Sequence, residues 1–181
     1  VPGFLHADPR YFENPQKIEK LPFQEAIELA FYGASVIHPK TLQPLKRGNI
    51  PLEIRSFLHP DEIGTWISDS PTIAPETAFF ILKKNQTLLS VAVNELEFIV
   101  ENHLAHIFSI LAKYNAKVNL LQNTAVSCSF ALNVDELLFD ALINELSLKY
   151  KVKFNTGLEL LTVRHYINSD IQNLLNGKEV L

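Results

Sequence analysis

The chain of 181 residues has a net charge of −4 and an apolar fraction of 47%, which are values typical of a globular protein. The length allows one large domain or two small ones. The sequence carries no basic stripe of the kind that nucleic-acid-binding proteins have, and no apolar run long enough to span a bilayer, so we expect neither partner. A single cysteine, Cys128, cannot form an internal disulfide and indicates a reducing cytoplasm.

The first part of the chain predicts two helices separated by a short apolar link. Val1–Arg10 is predicted as an extended loop. After Pro22, apolar residues at helical spacing predict a helix over Phe23–Tyr32 that ends at Gly33. The further elements expected here are a second helix that begins at Pro39 and ends at Gly48, and a strand with Ile50, Leu52 and Ile54, at an edge because Pro51 lacks a donor.

A change of composition divides the chain near residues 68–77. All ten prolines lie at or before Pro75, and the two in this segment stand among small polar residues, which is typical of a linker. The chain begins at Val1 and contains no methionine, so we expect it to be a piece of a longer protein.

The second part predicts the order β-α-β-β-α-β, the ferredoxin-like split unit. Asp135 is placed to cap the second helix of this unit. The predicted elements are a strand over Thr87–Val93, a helix with the face Leu104, Ile107, Phe108 and Leu111, strands with Val118–Leu120 and Ala125–Leu132, a helix with the face Phe139, Leu142, Ile143 and Leu146, and a strand with Val152 and Phe154.

The third of these strands has faces of unequal size. Its larger side chains, Val126, Cys128, Phe130 and Leu132, alternate with alanine and serine. We expect the larger face to pack on both helices. The smaller face is flat enough to meet a second sheet or subunit, and an ordinary solvent-facing strand is the alternative.

After Gly157 the pattern predicts the beginning of a second unit of the same kind. A strand is expected over Leu158–His165, and Ser169 is placed to cap a short helix that ends at Gly177. Val180 and Leu181 predict the start of a further strand.

Three segments together resemble the aspartokinase family. They are VPGFLHADPR at Val1–Arg10, FQEAIELAFYGASVIHPKT at Phe23–Thr41, and Lys83–Asp135 with its KKNQTLLSV strand. The resemblance implies an α+β chain that contains the C-terminal piece of an amino-acid-kinase domain (1–67), a linker (68–82), a ferredoxin-like ACT domain (83–156) and the start of a second ACT unit (157–181).

In that family the first segment forms a nucleotide loop, so the resemblance implies binding of ATP, as Mg-ATP, by the full-length protein. Leu5 would pack on the ring, Arg10 would lie near the phosphates, and Asp8 would support the loop. Ser35 and Val36 would line the same pocket, although Ser35 stands where the family usually has a lysine. Lys40 is a conceivable substitute for that charge, and a solvated surface role is the simpler interpretation.

The sequence carries no assignable catalytic residue. His38 at a helix entry is interpreted as structural, since phosphoryl transfer to an ionised carboxylate needs no base. His103 and His106 lack a third ligand at metal-site spacing, so no metal site is expected. The parts of the family site that bind aspartate and phosphate lie upstream of Val1, so this piece alone should be inactive.

The ACT domain implies a bound amino-acid effector between two subunits of a homodimer. The loop Phe98–Leu104, with Ile99, His103 and Leu104, would hold the effector carboxylate. Asn119, Thr124 and Ala125 fall at the positions that bind its amino groups. Lysine-sensitive relatives have carboxylates where this chain has Asn119 and Ala125, so lysine binding should be weak, and a neutral effector such as threonine is the alternative.

The resemblance therefore implies the C-terminal regulatory part of an enzyme that transfers the γ-phosphate of ATP to the side-chain carboxylate of L-aspartate. The most similar type is the monofunctional, lysine-sensitive one. Three alternatives remain at this point: a stand-alone amino-acid-sensing module, part of a bifunctional aspartokinase–homoserine dehydrogenase, and an interaction domain without a ligand.

Overall fold

The computed structural model describes residues 2–34, 36–93, 98–166 and 177–181. These residues form two compact units, of which unit 1 comprises Val1–Leu82 with Leu161–Leu181 and unit 2 comprises Lys83–Leu160. Helices and short sheets are mixed in both units, which confirms the predicted α+β class. None of the described helices has the length and apolar character that a membrane span requires.

Unit 1 contains two small sheets and two helices. Strands β1 (Phe4–Leu5) and β2 (Lys17–Ile18) pair in antiparallel fashion. The second sheet has the order β3-β5-β4, in which β3 is parallel and β4 antiparallel to the central strand. Its strands are β3 (Lys20–Pro22), β4 (Leu52–Ile54) and β5 (Thr65–Ser68), and the helices are α1 (Phe23–Tyr32) and α2 (Pro39–Arg47).

Helix α1 has the bounds that its apolar spacing predicts. Phe23, Ala26 and Leu29 point into the core and are fully buried. The helix ends because Gly33 adopts a φ of 117°, in the left-handed region that favours glycine. The N–H groups of Gly33 and Ala34 then donate to the carbonyl of Leu29 at 3.1 and 2.9 Å, so the turn after the helix is closed by hydrogen bonds.

Helix α2 also begins where the sequence predicts. His38 is its N-cap, and Nδ1 of His38 accepts a hydrogen bond from the backbone N–H of Lys40 at 3.2 Å. Pro39 occupies the first helical position, where a missing N–H costs nothing. Strand β4, which follows α2, lies at the edge of its sheet, as Pro51 directly before it predicts.

Unit 2 is built on one four-stranded sheet with two helices. Its strand order, β7-β8-β6-β9, is that of the ferredoxin-like fold and confirms the predicted βαββαβ arrangement. The elements are β6 (Phe79–Ala92), α3 (Glu101–Lys113), β7 (Lys117–Asn123), β8 (Ser127–Asn133), α4 (Glu136–Ser147) and β9 (Lys151–Arg164).

Strand β8 separates the two faces of this sheet largely as predicted. Cys128, Phe130 and Leu132 are fully buried in the core with residues of α3 and α4, whereas Ser129 on the other face is half-buried. Val126 was expected among the core residues and is 44% exposed, because it lies in the turn before the strand begins.

The strand predictions differ from the structure in three places. The strand predicted from Thr87 is present but begins earlier, at Phe79, and includes Asn85 at a positive φ of 55°. Strand β9 runs without a break through Gly157, at a φ of 70°, so the residues after this glycine do not form a separate strand. Val180 and Leu181 lie outside any strand, and the helix expected at Ser169 falls outside the described residues.

Candidate functional site

Unit 1 contains a cavity of about 470 Å³, a size typical of small-molecule sites. Four of the five residues predicted for the nucleotide site line it: Leu5, Asp8, Arg10 and Val36. The fifth, Ser35, lies outside the described residues. Residues 31 positions apart in sequence are therefore brought to one cavity.

The cavity has three walls that come from separate parts of unit 1. One wall is strand β1 with the loop that follows it to Tyr11, and the second is the end of α1 with the turn after it. The start of β6, Phe79–Leu82, forms the third. The loop is joined to β6 by a parallel bridge between Ala7 and Phe80, in which the N–H of Phe80 donates to the carbonyl of His6 at 2.8 Å.

Asp8 and Arg10 form an ion pair within the loop. The guanidinium donates from Nη2 to Oδ2 of Asp8 at 2.6 Å and from Nε to both carboxylate oxygens at 3.0 Å. These hydrogen bonds from Arg10 hold the pKa of Asp8 below its ordinary value. The carbonyl of Asp8 accepts from the N–H groups of Tyr11 and Phe12, so the turn itself is also closed.

The arginine is oriented and yet accessible. Its side chain is 69% exposed, and its guanidinium lies 5.5 Å from the centroid of the Tyr11 ring. The remaining cavity surface is mainly apolar, with Leu5, Leu29 and Val36 among its residues. An apolar wall beside an arginine at the rim fits a ligand with a flat apolar ring and an anionic group.

Sequence patterns did not identify all of the cavity wall. Leu29 and the segment Phe79–Leu82 line the cavity. In the sequence, Leu29 resembles an ordinary core residue of a helix, and Phe79–Leu82 falls in the predicted linker. His38 and Lys40 are not among the lining residues; His38 caps α2 and Lys40 is exposed.

In unit 2, two of the predicted effector residues are joined by a backbone hydrogen bond. The N–H of Ile99 donates to the carbonyl of Ala125 at 2.9 Å, which ties the loop before α3 to the turn between β7 and β8. In that turn, Oγ1 of Thr124 donates to the carbonyl of Ser127 at 3.0 Å. Ile99 is buried, whereas Thr124 and Ala125 are exposed.

His103 and Leu104 lie in the first turn of α3. The ring of His103 meets Tyr150 edge-on with the centroids 6.0 Å apart, and its Nδ1 is buried without a hydrogen-bond partner. Leu104 packs on the core of unit 2. His106, one turn along the helix, instead pairs its Nδ1 with the Tyr150 hydroxyl at 3.0 Å.

Asn119 takes no part in these contacts and belongs to a polar cluster that we call the amide cluster: Lys83, Gln86, Asn119 and Asn133. The register of β7 against β8 shifts between Val118 and Leu120, so Asn119 lies in a β-bulge. Its Nδ2 donates to Oε1 of Gln86 at 2.8 Å and to Oδ1 of Asn133 at 2.7 Å. Its Oδ1 accepts from Nζ of Lys83 at 2.8 Å.

Among the described residues there is no group of three or more histidine, cysteine, aspartate or glutamate side chains that could hold a metal ion. Cys128, the single cysteine, is a free buried thiol.

Comparison with known proteins finds similarity to amino acid kinases and aspartokinases. The model of the Amino acid kinase family matches residues 1–56. Lysine-sensitive aspartokinase 3 of Escherichia coli (strain K12) is 34% identical over 99% of this chain and 41% of its own length. The chain therefore spans about two fifths of this relative.

Solved structures give the same result. The E. coli aspartokinase III complex with lysine and aspartate, in the T-state, has a TM-score of 0.78 at 30% identity, over 100% of this chain and 43% of that one. The R-state complex of the same enzyme with aspartate and ADP has a TM-score of 0.72 at 34% identity, over 89% and 37%. The chain is therefore a homologue of the C-terminal part of the aspartokinases.

Proposed function

We propose that this chain is the C-terminal part of an aspartokinase that transfers the γ-phosphate of ATP to the side-chain carboxylate of L-aspartate. The observation that carries the proposal is the single cavity shared by Leu5, Asp8, Arg10 and Val36. The resemblance of Val1–Arg10 and Phe23–Thr41 to the aspartokinase family predicts nucleotide binding by the same residues. The relative crystallised with aspartate and ADP supports the same assignment.

The residues at this cavity fit a nucleotide. The apolar wall at Leu5 and Val36 suits the base, and the Arg10 guanidinium, already oriented by Asp8, suits a phosphate group at two points. The magnesium ion that accompanies ATP would supply further neutralisation of phosphate charge. The acceptor carboxylate is ionised at neutral pH, so this part of the site needs to position charge rather than to remove a proton.

Unit 2 is proposed to bind an amino-acid effector in a homodimer of a cytoplasmic enzyme. Its fold is that of the relatives, one of which was crystallised with lysine. The hydrogen bond between Ile99 and Ala125 joins the loop before α3 to the turn at Thr124–Ala125, which supports a shared role for these two segments. We propose that the effector is neutral rather than lysine, because no carboxylate belongs to the amide cluster.

Calorimetric titration of the 181-residue chain with Mg-ADP tests the nucleotide assignment. Binding by the wild type is expected, and Arg10→Gln should weaken it about tenfold or more, since a charge-assisted hydrogen bond contributes about 1.5–3 kcal/mol. Arg47→Gln is the matched control, because Arg47 is exposed on α2 and is not a lining residue. Equal affinity in all three proteins, or no binding by the wild type at millimolar ADP, would refute the proposal.

A further inference from the structure

A buried carboxylate on α1 is held by Arg164, the last residue of β9, and by His165, which follows it. Glu25 is 6% exposed, and its Oε1 and Oε2 accept from Nε and Nη2 of Arg164 at 2.7 and 2.9 Å. Nε2 of His165 lies 3.1 Å from the same Oε2. Arg164 is 139 residues from Glu25 in sequence, and both belong to unit 1.

Arg164 contacts a whole stripe of α1 rather than one residue. Its Nη1 lies 3.7 Å from Oε2 of Glu28, and its guanidinium carbon lies 5.7 Å from the centroid of the Tyr32 ring. Residues 25, 28 and 32 recur at i, i+3 and i+7 and so share one face of the helix. The contacts extend from the first turn of α1 to its last residue.

The elements held in this way form part of the cavity wall. Tyr32 is followed directly by Gly33, which lines the cavity, and Leu29 of the same helix also lines it. The ring of His165 meets Phe79 edge-on with the centroids 6.1 Å apart, and Phe79 belongs to the third wall. Arg164 and His165 therefore support two of the three walls without lining the cavity themselves.

The electrostatics make the contact with α1 hard to replace. Burial by itself would raise the pKa of Glu25, but the hydrogen bonds from Arg164 and His165 outweigh it and the pKa is lowered. Glu25 is thus ionised and depends on its partners. Removal of Arg164 leaves a buried charge with weaker compensation, which favours a shift of the helix that exposes the carboxylate to water.

We propose that Arg164 and His165 are positioning residues for the ligand cavity of unit 1, because they fix α1 and Phe79 in place. Unit 1 resumes at Leu161 and strand β9 ends at Arg164, so both positioning residues belong to the second segment of unit 1. That the ligand is a nucleotide rests on the function proposed above, whereas the positioning role does not.

Amide hydrogen exchange of the full chain tests the positioning role directly. The probes are the N–H groups of Gly33 and Ala34, which bond to Leu29 at the cavity wall. In Arg164→Gln we expect their exchange to rise at least tenfold, and Mg-ADP affinity to fall about tenfold. Arg55→Gln is the matched control, since Arg55 pairs with Glu53 in the same unit on an exposed site away from the cavity. The control should leave both measurements unchanged.

Two results would overturn the proposal. One is wild-type exchange at Gly33 and Ala34 in Arg164→Gln, and the other is an equal rise at every protected amide of unit 1, which would indicate lost global stability. If Arg164→Gln does not fold, the same exchange measurement is made on Glu28→Gln, which removes a weaker contact of Arg164 with the same face of α1. The same two results would then overturn the proposal. Failure of the wild type to bind Mg-ADP would refute the nucleotide assignment alone, because the exchange result still decides the positioning role.

Discussion

The ammonium nitrogen of Lys83 lies 2.8 Å from Oδ1 of Asn119, at the end of the amide cluster. Burial lowers the pKa of Lys83 below its ordinary value, and the nearby charge of Lys117 lowers it further. Asn119 is the position at which an effector amino group was expected. The chain thus places a cation of its own there, and an effector ammonium would have to displace it against like charge.

We expect the chain to bind L-lysine less tightly than L-threonine. The side-chain ammonium of a bound lysine would lie in a cluster that already holds the ammonium of Lys83 and contains no carboxylate. The cost of removing the lysine ammonium from water is therefore not offset by an ion pair. Isothermal titration with each amino acid measures the difference. Lysine binding at micromolar concentration would contradict the argument.

A designed pair of substitutions should reverse this preference. Lys83→Met together with Asn119→Asp removes the internal cation and supplies a carboxylate, so lysine affinity should rise at least tenfold over the wild type. Lys151→Met is the control, because Lys151 is an exposed lysine of the same unit outside the amide cluster. Unchanged lysine affinity in the double variant would mean that Asn119 does not face the effector.

The cap of α4 should contribute measurably to the stability of unit 2. Oδ1 of Asp135 accepts from the N–H of Leu137 at 2.9 Å, which satisfies one of the free donors of the first turn. Asp135→Ala should lower the free energy of unfolding by about 1 kcal/mol, as measured by urea denaturation. Asp140→Ala, at an exposed position inside the same helix, removes the same charge without a cap and should have a smaller effect.

Local signals sufficed for most of the fold. The spacing of Phe23, Ala26, Ile27, Ala30 and Phe31 with a glycine after the helix predicted α1, although Phe31 is 67% exposed and Leu29 is buried instead. The cap at Asp135 predicted the start of α4. These features depend on residues within one or two turns of each other. The order of strands and helices in unit 2 then follows from alternation along the chain, and the ferredoxin-like topology from that order.

Contacts between distant residues left no such signal. From the sequence alone, Glu25 resembles a solvated helix residue. In the structure it is paired with Arg164, which lies 139 residues away along the chain. Asn119 belongs to the amide cluster because of a bulge in β7, and no residue type in this segment predicts that bulge. The start of β6 was missed for a related reason: its Phe80 pairs with Ala7 in the loop after β1, and pairing of this kind is not visible in a single segment.

The buried face of α4 should dominate the stability of the second helix of unit 2. Leu146 is fully buried in the core, whereas Leu137 on the same helix is 90% exposed. Leu146→Ala should cost about 2–5 kcal/mol in the free energy of unfolding, because it removes buried apolar surface and leaves a cavity. Leu137→Ala should stay within about 0.5 kcal/mol. Urea denaturation followed by circular dichroism gives both values, and similar losses for the two variants would contradict the packing described.

The buried thiol of Cys128 should make stability fall at high pH. Burial raises its pKa from 9.0 to about 11, so the folded chain keeps the neutral thiol while the unfolded chain ionises near pH 9. The contribution of the buried neutral thiol to the free energy of unfolding is therefore intact below about pH 9 and is lost as the pH rises through about 11. Comparison of urea denaturation for the wild type and Cys128→Ala between pH 8 and 11 isolates it, because other groups titrate equally in both. The wild type should lose stability relative to the variant across this interval, and parallel pH curves would show that the thiol is not buried as described.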